Sequence, residues 1–181
     1  MAIVDRIESL DALLERYADT LGPARQPYTN HNYRVANFCI ELAGCGDDAE
    51  AVDKIGIACA FHDIGVWTVG TLDYLEPSRK LAAEYLEQIG KSQWLAEIEA
   101  MVMEHHKVRT AGASAGPLVE PFRKADWIDV SLGLLRFGLS GEFIGPVKAR
   151  FPNAGFHKLL MRATGAQLMR DPLHPMPMMR F

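Results

Sequence analysis

Apolar residues recur every three or four positions along most of this chain, a spacing that predicts a set of amphipathic helices. Ile3, Ile7, Leu10, Leu14 and Tyr17 form one such stripe, closed by Gly22-Pro23, so a first helix is expected there. A second is expected from about Thr29 to Ala43, with Tyr33, Ala36 and Ile40 inward and Gly44 and Gly46 as its stop. Asp47 or Asp48 can accept the free amides at the start of a third helix. In it Val52, Ile55, Cys59 and Phe61 lead to His62-Asp63, and Gly65 closes it.

Ser78 or Pro77 is expected to open a fourth helix through Leu81, Tyr85, Leu86 and Ile89 to Gly90. Ser92 is the expected cap of a fifth, in which Leu95, Ile98, Val102 and His105 share a stripe. AGASAGP reads as a loop, and PLVEPFRKADWIDVSLGLLRF reads as helical with Pro121 restarting or kinking it. Two shorter helices are expected around residues 141–151 and 154–170. No alternating strand, internal repeat or interdomain linker is visible. The expected fold is therefore all-α: a single-domain bundle of about seven to eight helices over residues 1–170, followed by a loose Pro/Met-rich tail at residues 171–181.

Composition narrows the function. The 181 residues are enough to bury roughly 70% of the unfolded surface, so no metal or disulfide is needed merely to hold the fold. With 19 basic against 23 acidic residues the chain lacks the basic field that holds duplex nucleic acid. Cys39, Cys45 and Cys59 form no CxxC pair, which fits a reducing compartment. The first helix carries Asp5, Glu8, Asp11 and Glu15, unlike a signal or transit peptide, and no apolar run reaches a membrane span, so a cytoplasmic location without membrane association is expected. A homodimer is a plausible assembly for a helical protein of this size.

Against this ordinary background, several ionisable residues fall where the helical pattern expects core: His31, His62-Asp63, His105 or His106, and Asp126 within FRKADWIDV. Burying such groups singly costs several kcal/mol per unpaired charge, and one divalent cation shared among them removes that cost. Two imidazoles and two carboxylates suit Mn, Fe, Co, Ni or Zn and leave positions for water and substrate. Such an ion acidifies water and polarises a phosphoryl oxygen together. Asp129, three residues on and on the same helix face, competes with Asp126 for the ligand role and could instead orient a ligand. Arg34 and Lys107 flank proposed site residues and are the first candidates for a phosphate clamp; Arg109, Arg123 and Lys124 read as solvated charges. Trp67 and Tyr74, in the loop after the dyad, read as packing or as a wall for a base, and His157 and His174 as structural or exposed.

In the order His31, His62-Asp63, Asp126, with the local stretches HNYRVANF, FHDIGVW, EHHKV and FRKADWIDV, the chain resembles the HD superfamily of metal-dependent phosphohydrolases over about residues 25–140. The resemblance implies an all-helical HD-type fold in which His31, His62, Asp63 and Asp126 bind one metal. It also implies that His105 and His106 correspond to a pair that helps hold a second metal in binuclear branches, which use a further histidine absent here between Asp63 and His105. The glutamate that many members place shortly after the dyad is likewise absent: the positions read Ile64, Gly65, Val66, Trp67, leaving Glu104 or Glu76 as replacements. The expected function is hydrolysis of a small phosphorylated metabolite, such as a nucleotide, by attack of metal-bound water on phosphorus, with His62, Asp63, Arg34 and Lys107 as catalytic residues. The alternatives are a di-iron oxygenase acting on a phosphonate or polyol, and a non-catalytic nucleotide-binding regulatory module.

Overall fold

The computed structural model describes residues 2–111 and 116–179, and all regular structure among them is helical. Eight helices exceed one turn: α1 (Glu8–Arg16), α3 (Arg25–Ala43), α4 (Ala49–His62), α6 (Leu75–Gln88), α7 (Leu95–Glu104), α8 (Val119–Val130), α9 (Gly141–Arg150) and α10 (Phe156–Arg170). Two single turns, α2 (Ala18–Leu21) and α5 (Gly65–Thr68), and two 3-10 turns, Gly22–Ala24 and Ser92–Trp94, complete the set among the described residues. The centre of the AGASAGP loop, residues 112–115, lies outside the described residues.

The bundle is organised around α3, which packs on α8 and α4, while α4 also contacts α1, α6 and α7. Tyr28, Phe38, Phe61, Phe122, Leu10 and Ile55 are fully buried between these helices. No helix among the described residues is long and apolar enough to cross a membrane.

The first helix starts later than its apolar stripe suggests. Ile7 has an extended backbone, and residues 2–6 form an arm rather than a helical turn. Asn37 on α3 holds that arm by donating from Nδ2 to the Val4 carbonyl (3.0 Å) and accepting from the Val4 amide (2.8 Å). The amide and carbonyl of Val4 are thereby satisfied outside any helix, and Ile3 and Val4 still pack on the core.

At the other ends local chemistry decides. Asp48 caps α4 by accepting from the Ala51 amide (3.1 Å), and Gly44 ends α3 in the left-handed region at φ 64°. Gly65 does not close α4 but begins the next turn, and its reason is space: a Cβ there would stand 2.6 Å from the Tyr74 carbonyl oxygen. α6 opens at Leu75, ahead of Pro77 and Ser78, and Ser78 instead accepts from the Gly65 amide (3.0 Å), tying α6 to the turn after the dyad. After α10, residues 171–179 turn back, with Gln167 donating to the His174 carbonyl (3.2 Å).

Candidate metal centre

Four helices end or pass at one buried point. His31 lies on the first half of α3, His62 is the last residue of α4 with Asp63 as its C-cap, His105 caps α7, and Asp126 sits midway along α8. His31, His62 and His105 are fully buried, and Asp63 and Asp126 nearly so.

Each of these three imidazoles is oriented through Nδ1. His62 donates to the Cys59 carbonyl and His105 to the Val102 carbonyl, both at 2.7 Å, using acceptors left over in the last turns of α4 and α7. His31 donates to the Asp129 carboxylate at 2.7 Å. Because carbonyls and carboxylates only accept, the Nδ1 protons are committed and the Nε2 lone pairs are presented inward. The Nε2 atoms of His31 and His62 then face each other at 3.0 Å. Two lone pairs at that separation repel unless a positive charge lies against both.

The carboxylates close the set. Asp63 Oδ2 lies 3.4 Å from His62 Nε2 and 3.8 Å from His31 Nε2, and Asp126 Oδ1 lies 3.6 Å from His31 Nε2. Ligand bonds of about 2.1 Å place neighbouring donors about 3 to 4 Å apart, so this spacing suits one cation. His105 Nε2 and Asp126 Oδ1 are buried without a hydrogen-bond partner, although His105 Nε2 stands 3.3 Å from Asp63 Oδ1. Orphaned atoms of this kind are costly in a protein interior, and coordination satisfies them. Two three-residue groups can hold an ion: His31, His62 and Asp63, and Asp63, His105 and His106. Asp63 belongs to both, offering opposite oxygens.

Protonation follows the same geometry. Burial pushes His62 down to about 3, leaving it neutral and available as a ligand. Burial, aided by His105, likewise holds His106 well below the usual imidazole range. At Asp63 burial works against ionisation, but the surrounding imidazoles, led by His62, outweigh it and hold the carboxyl well below its ordinary value. At Asp126 burial, joined by Asp63 and Asp129, outweighs the opposing pull of His105 and His31 and raises the carboxyl to about 6. His105 moves upward: burial opposes its charge, but the contact with Asp63 and the nearby Asp126 prevail.

Tyr74, in the loop after the dyad, adds a proton at the pocket wall. Its hydroxyl donates to Asp63 Oδ1 at 2.5 Å and lies 2.6 Å from His106 Nε2. With the hydroxyl proton committed to Asp63, His106 Nε2–H is the donor to Tyr74, and His106 Nδ1 faces Asp126 Oδ2 at 3.7 Å. The sequence marked Tyr74 only as packing or a wall. Its distance from the dyad along the chain carries no periodic signal, and Gly65 against Ser78 is what brings the loop home.

Arg34 and Lys107, expected as a phosphate clamp, are not among the described residues that line this pocket, and both are paired elsewhere. Arg34 is 2% exposed. Its guanidinium bonds Asp129 through Nε and, at 2.8 Å, through Nη2, while Nη1 donates to the Phe151 carbonyl at 2.9 Å. It stands three residues after His31 on α3 and meets Asp129, three residues after Asp126 on α8. One residue of each helical pair faces the cavity and the other forms a supporting ion pair beneath it. Lys107 pairs with Glu104 (3.0 Å), both half-buried. Arg123 and Lys124 pair with Glu120, Arg109 is exposed, and Glu76 pairs with Arg79. Neither Glu76 nor Glu104 lines the pocket. Trp67 stacks obliquely on Tyr28 (4.6 Å between ring centres) in the core, and His157 Nε2–H donates to the Asp129 carbonyl (3.1 Å).

The family model described as HD domain matches residues 28–131, more than half of the chain. No curated protein and no solved structure gives a match. The matched span runs from within α3 to the end of α8 and contains every candidate metal ligand described above. The chain belongs to the HD domain family.

Proposed function

We propose that this protein is a metal-dependent phosphohydrolase that releases phosphate from a small phosphorylated metabolite. HD domains are mostly metal-dependent hydrolases, and the buried His/Asp cluster can hold a divalent ion. The observation that carries the reading is the pair of facing Nε2 atoms of His31 and His62, 3.0 Å apart with Asp63 and Asp126 beside them and both Nδ1 protons committed elsewhere. When bound there, a divalent cation acidifies water and polarises a phosphoryl oxygen, activating nucleophile and electrophile together.

The residues divide the remaining work. His31, His62, Asp63 and Asp126 hold the ion, and Asp129, backed by Arg34, fixes the ring of His31. Tyr74 and His106 hold a proton at the pocket wall, in a pocket with no glutamate among its described lining residues. They are the groups within reach of a leaving oxygen.

Asp63→Ala tests the reading. The variant is expected to lose bound metal by elemental analysis and at least about 100-fold in phosphate release over a panel of monophosphates, with helical circular dichroism largely intact. Normal hydrolysis by this variant would sink the assignment. One observation favours a second reading: Asp63 is shared by two candidate donor groups, as a pair of ions would need. Two irons per chain, oxygen consumption and no phosphate release would select an oxidative reaction on a phosphonate or polyol instead.

A further inference from the structure

A cavity of about 300 Å³ opens onto the centre, with Asp63, His106 and Asp126 at its polar end. Apart from Tyr74 and Thr164, the rest of its wall is apolar: Val66 on α5, Leu72 from the loop that follows it, Trp127 on α8, Leu160 on α10, and Met176 and Met178 from the tail. No lysine or arginine lines it among the described residues. Arg170 is the cation of an adjoining groove, across Val66 and Leu72, and it is exposed. Arg34, Arg123 and Lys107, which lie close to the site in sequence, are committed to Asp129, Glu120 and Glu104.

Resting on the phosphohydrolase reading, we infer that the substrate is a monophosphate ester with an uncharged, apolar body, and that the tail methionines form the outer wall that receives this body. The bound ion can coordinate one phosphoryl head directly. A di- or triphosphate would place further charges against Leu72, Leu160 and methionine with nothing to pair them, which costs several kcal/mol per ion. The cavity lies at the small end of ligand pockets, so the body is a single ring system or a short chain. Methionine suits such a wall because its unbranched, polarisable side chain adapts to irregular apolar shapes. Met178 also packs against the cluster of Leu72, Tyr74 and Leu75, which ties the tail to the loop carrying Tyr74.

The test is a calorimetric titration of the full chain loaded with Mn²⁺, using three probes: methylphosphonate, 1-naphthylmethylphosphonate and adenosine triphosphate. The two phosphonates share a head that is not hydrolysed and differ only in the body. The naphthyl compound is expected to bind at least tenfold tighter than either of the others. Met178→Lys, on the tail and outside the metal ligands, is expected to shrink that advantage severalfold and leave methylphosphonate within twofold of the native value. Equal affinity for the two phosphonates, tighter binding of the triphosphate, no binding of either phosphonate, or indifference to Met178→Lys overturns the inference. Hydrolysis of 1-naphthyl phosphate is read separately. Tight phosphonate binding without phosphate release would fail the phosphohydrolase reading and keep the apolar pocket. Release from the triphosphate but not from the naphthyl ester would do the reverse.

Discussion

Asp129 touches neither the cavity nor its proposed contents, yet two elements of the centre depend on it: the ring of His31 and the buried charge of Arg34. Asp129→Asn leaves Arg34 buried opposite a neutral amide and is expected to cost about 3 to 5 kcal/mol, read as a lower midpoint in urea unfolding. The double variant Arg34→Met with Asp129→Leu removes both charges and is expected to recover most of that stability, while metal affinity stays about 10-fold or more below native because His31 has lost its anchor. Recovery of both together would show that His31 is oriented by something else. At this scale His31, His62, Asp63 and Asp126 were legible because ionisable groups on apolar stripes are expensive and therefore informative. The direction of Arg34 was not. Its spacing from His31 says that the two share a face of α3, but whether that face meets a cavity or α8 is decided by helix packing.

Helix ends, rather than helix middles, build most of this centre. His62 and Asp63 terminate α4 and His105 terminates α7, and a stripe that breaks at a polar pair marks such a boundary, although periodicity left His105 and His106 as alternatives. The boundaries themselves were less legible. The stripe from Ile3 to Tyr17 reads as one helix, whereas Asn37 offers the arm a different set of hydrogen bonds and α1 begins at Glu8. Gly65 is read from sequence as a helix stop, and its real constraint is the Tyr74 backbone 2.6 Å from where a Cβ would sit. Gly65→Ala is therefore expected to destabilise the protein by about 1 to 3 kcal/mol in thermal or chemical unfolding. Because the loop must shift to admit the methyl, turnover is expected to fall even under conditions where the variant is fully folded. Stability and turnover equal to native would remove the close-approach argument.

For the molecule as a whole, the bundle keeps two carboxylates and several imidazoles in one dry place, and pH sets what that place can bind. Ligation needs Asp126 ionised, while burial lifts Asp126 to about 6. Binding a cation therefore releases protons. Apparent metal affinity, measured by chelator competition between pH 5 and 8, is expected to rise by about tenfold or more per unit below pH 6 and to flatten above it. A flat profile across pH 6 would show that Asp126 is not a ligand. The fold class was legible from the spacing of apolar residues because helical period survives in every segment. The tail's place against the centre was not, since DPLHPMPMM carries no period to fix where it lies, and its position depends on contacts with Leu72 and Tyr74.

The carbonyls of Cys59 and Val102, which accept from His62 and His105, belong to the final turns of α4 and α7. Ring orientation and the coiling of those turns are consequently one event: when either end frays, its imidazole swings away from the cavity. An ion gripping the rings must then act as a clasp on the backbone. Hydrogen–deuterium exchange of the amides at residues 59–63 and 102–106 is expected to slow on adding Mn²⁺, with distant α9 amides unchanged; equal rates with and without the ion would mean that the helix ends and the rings move independently.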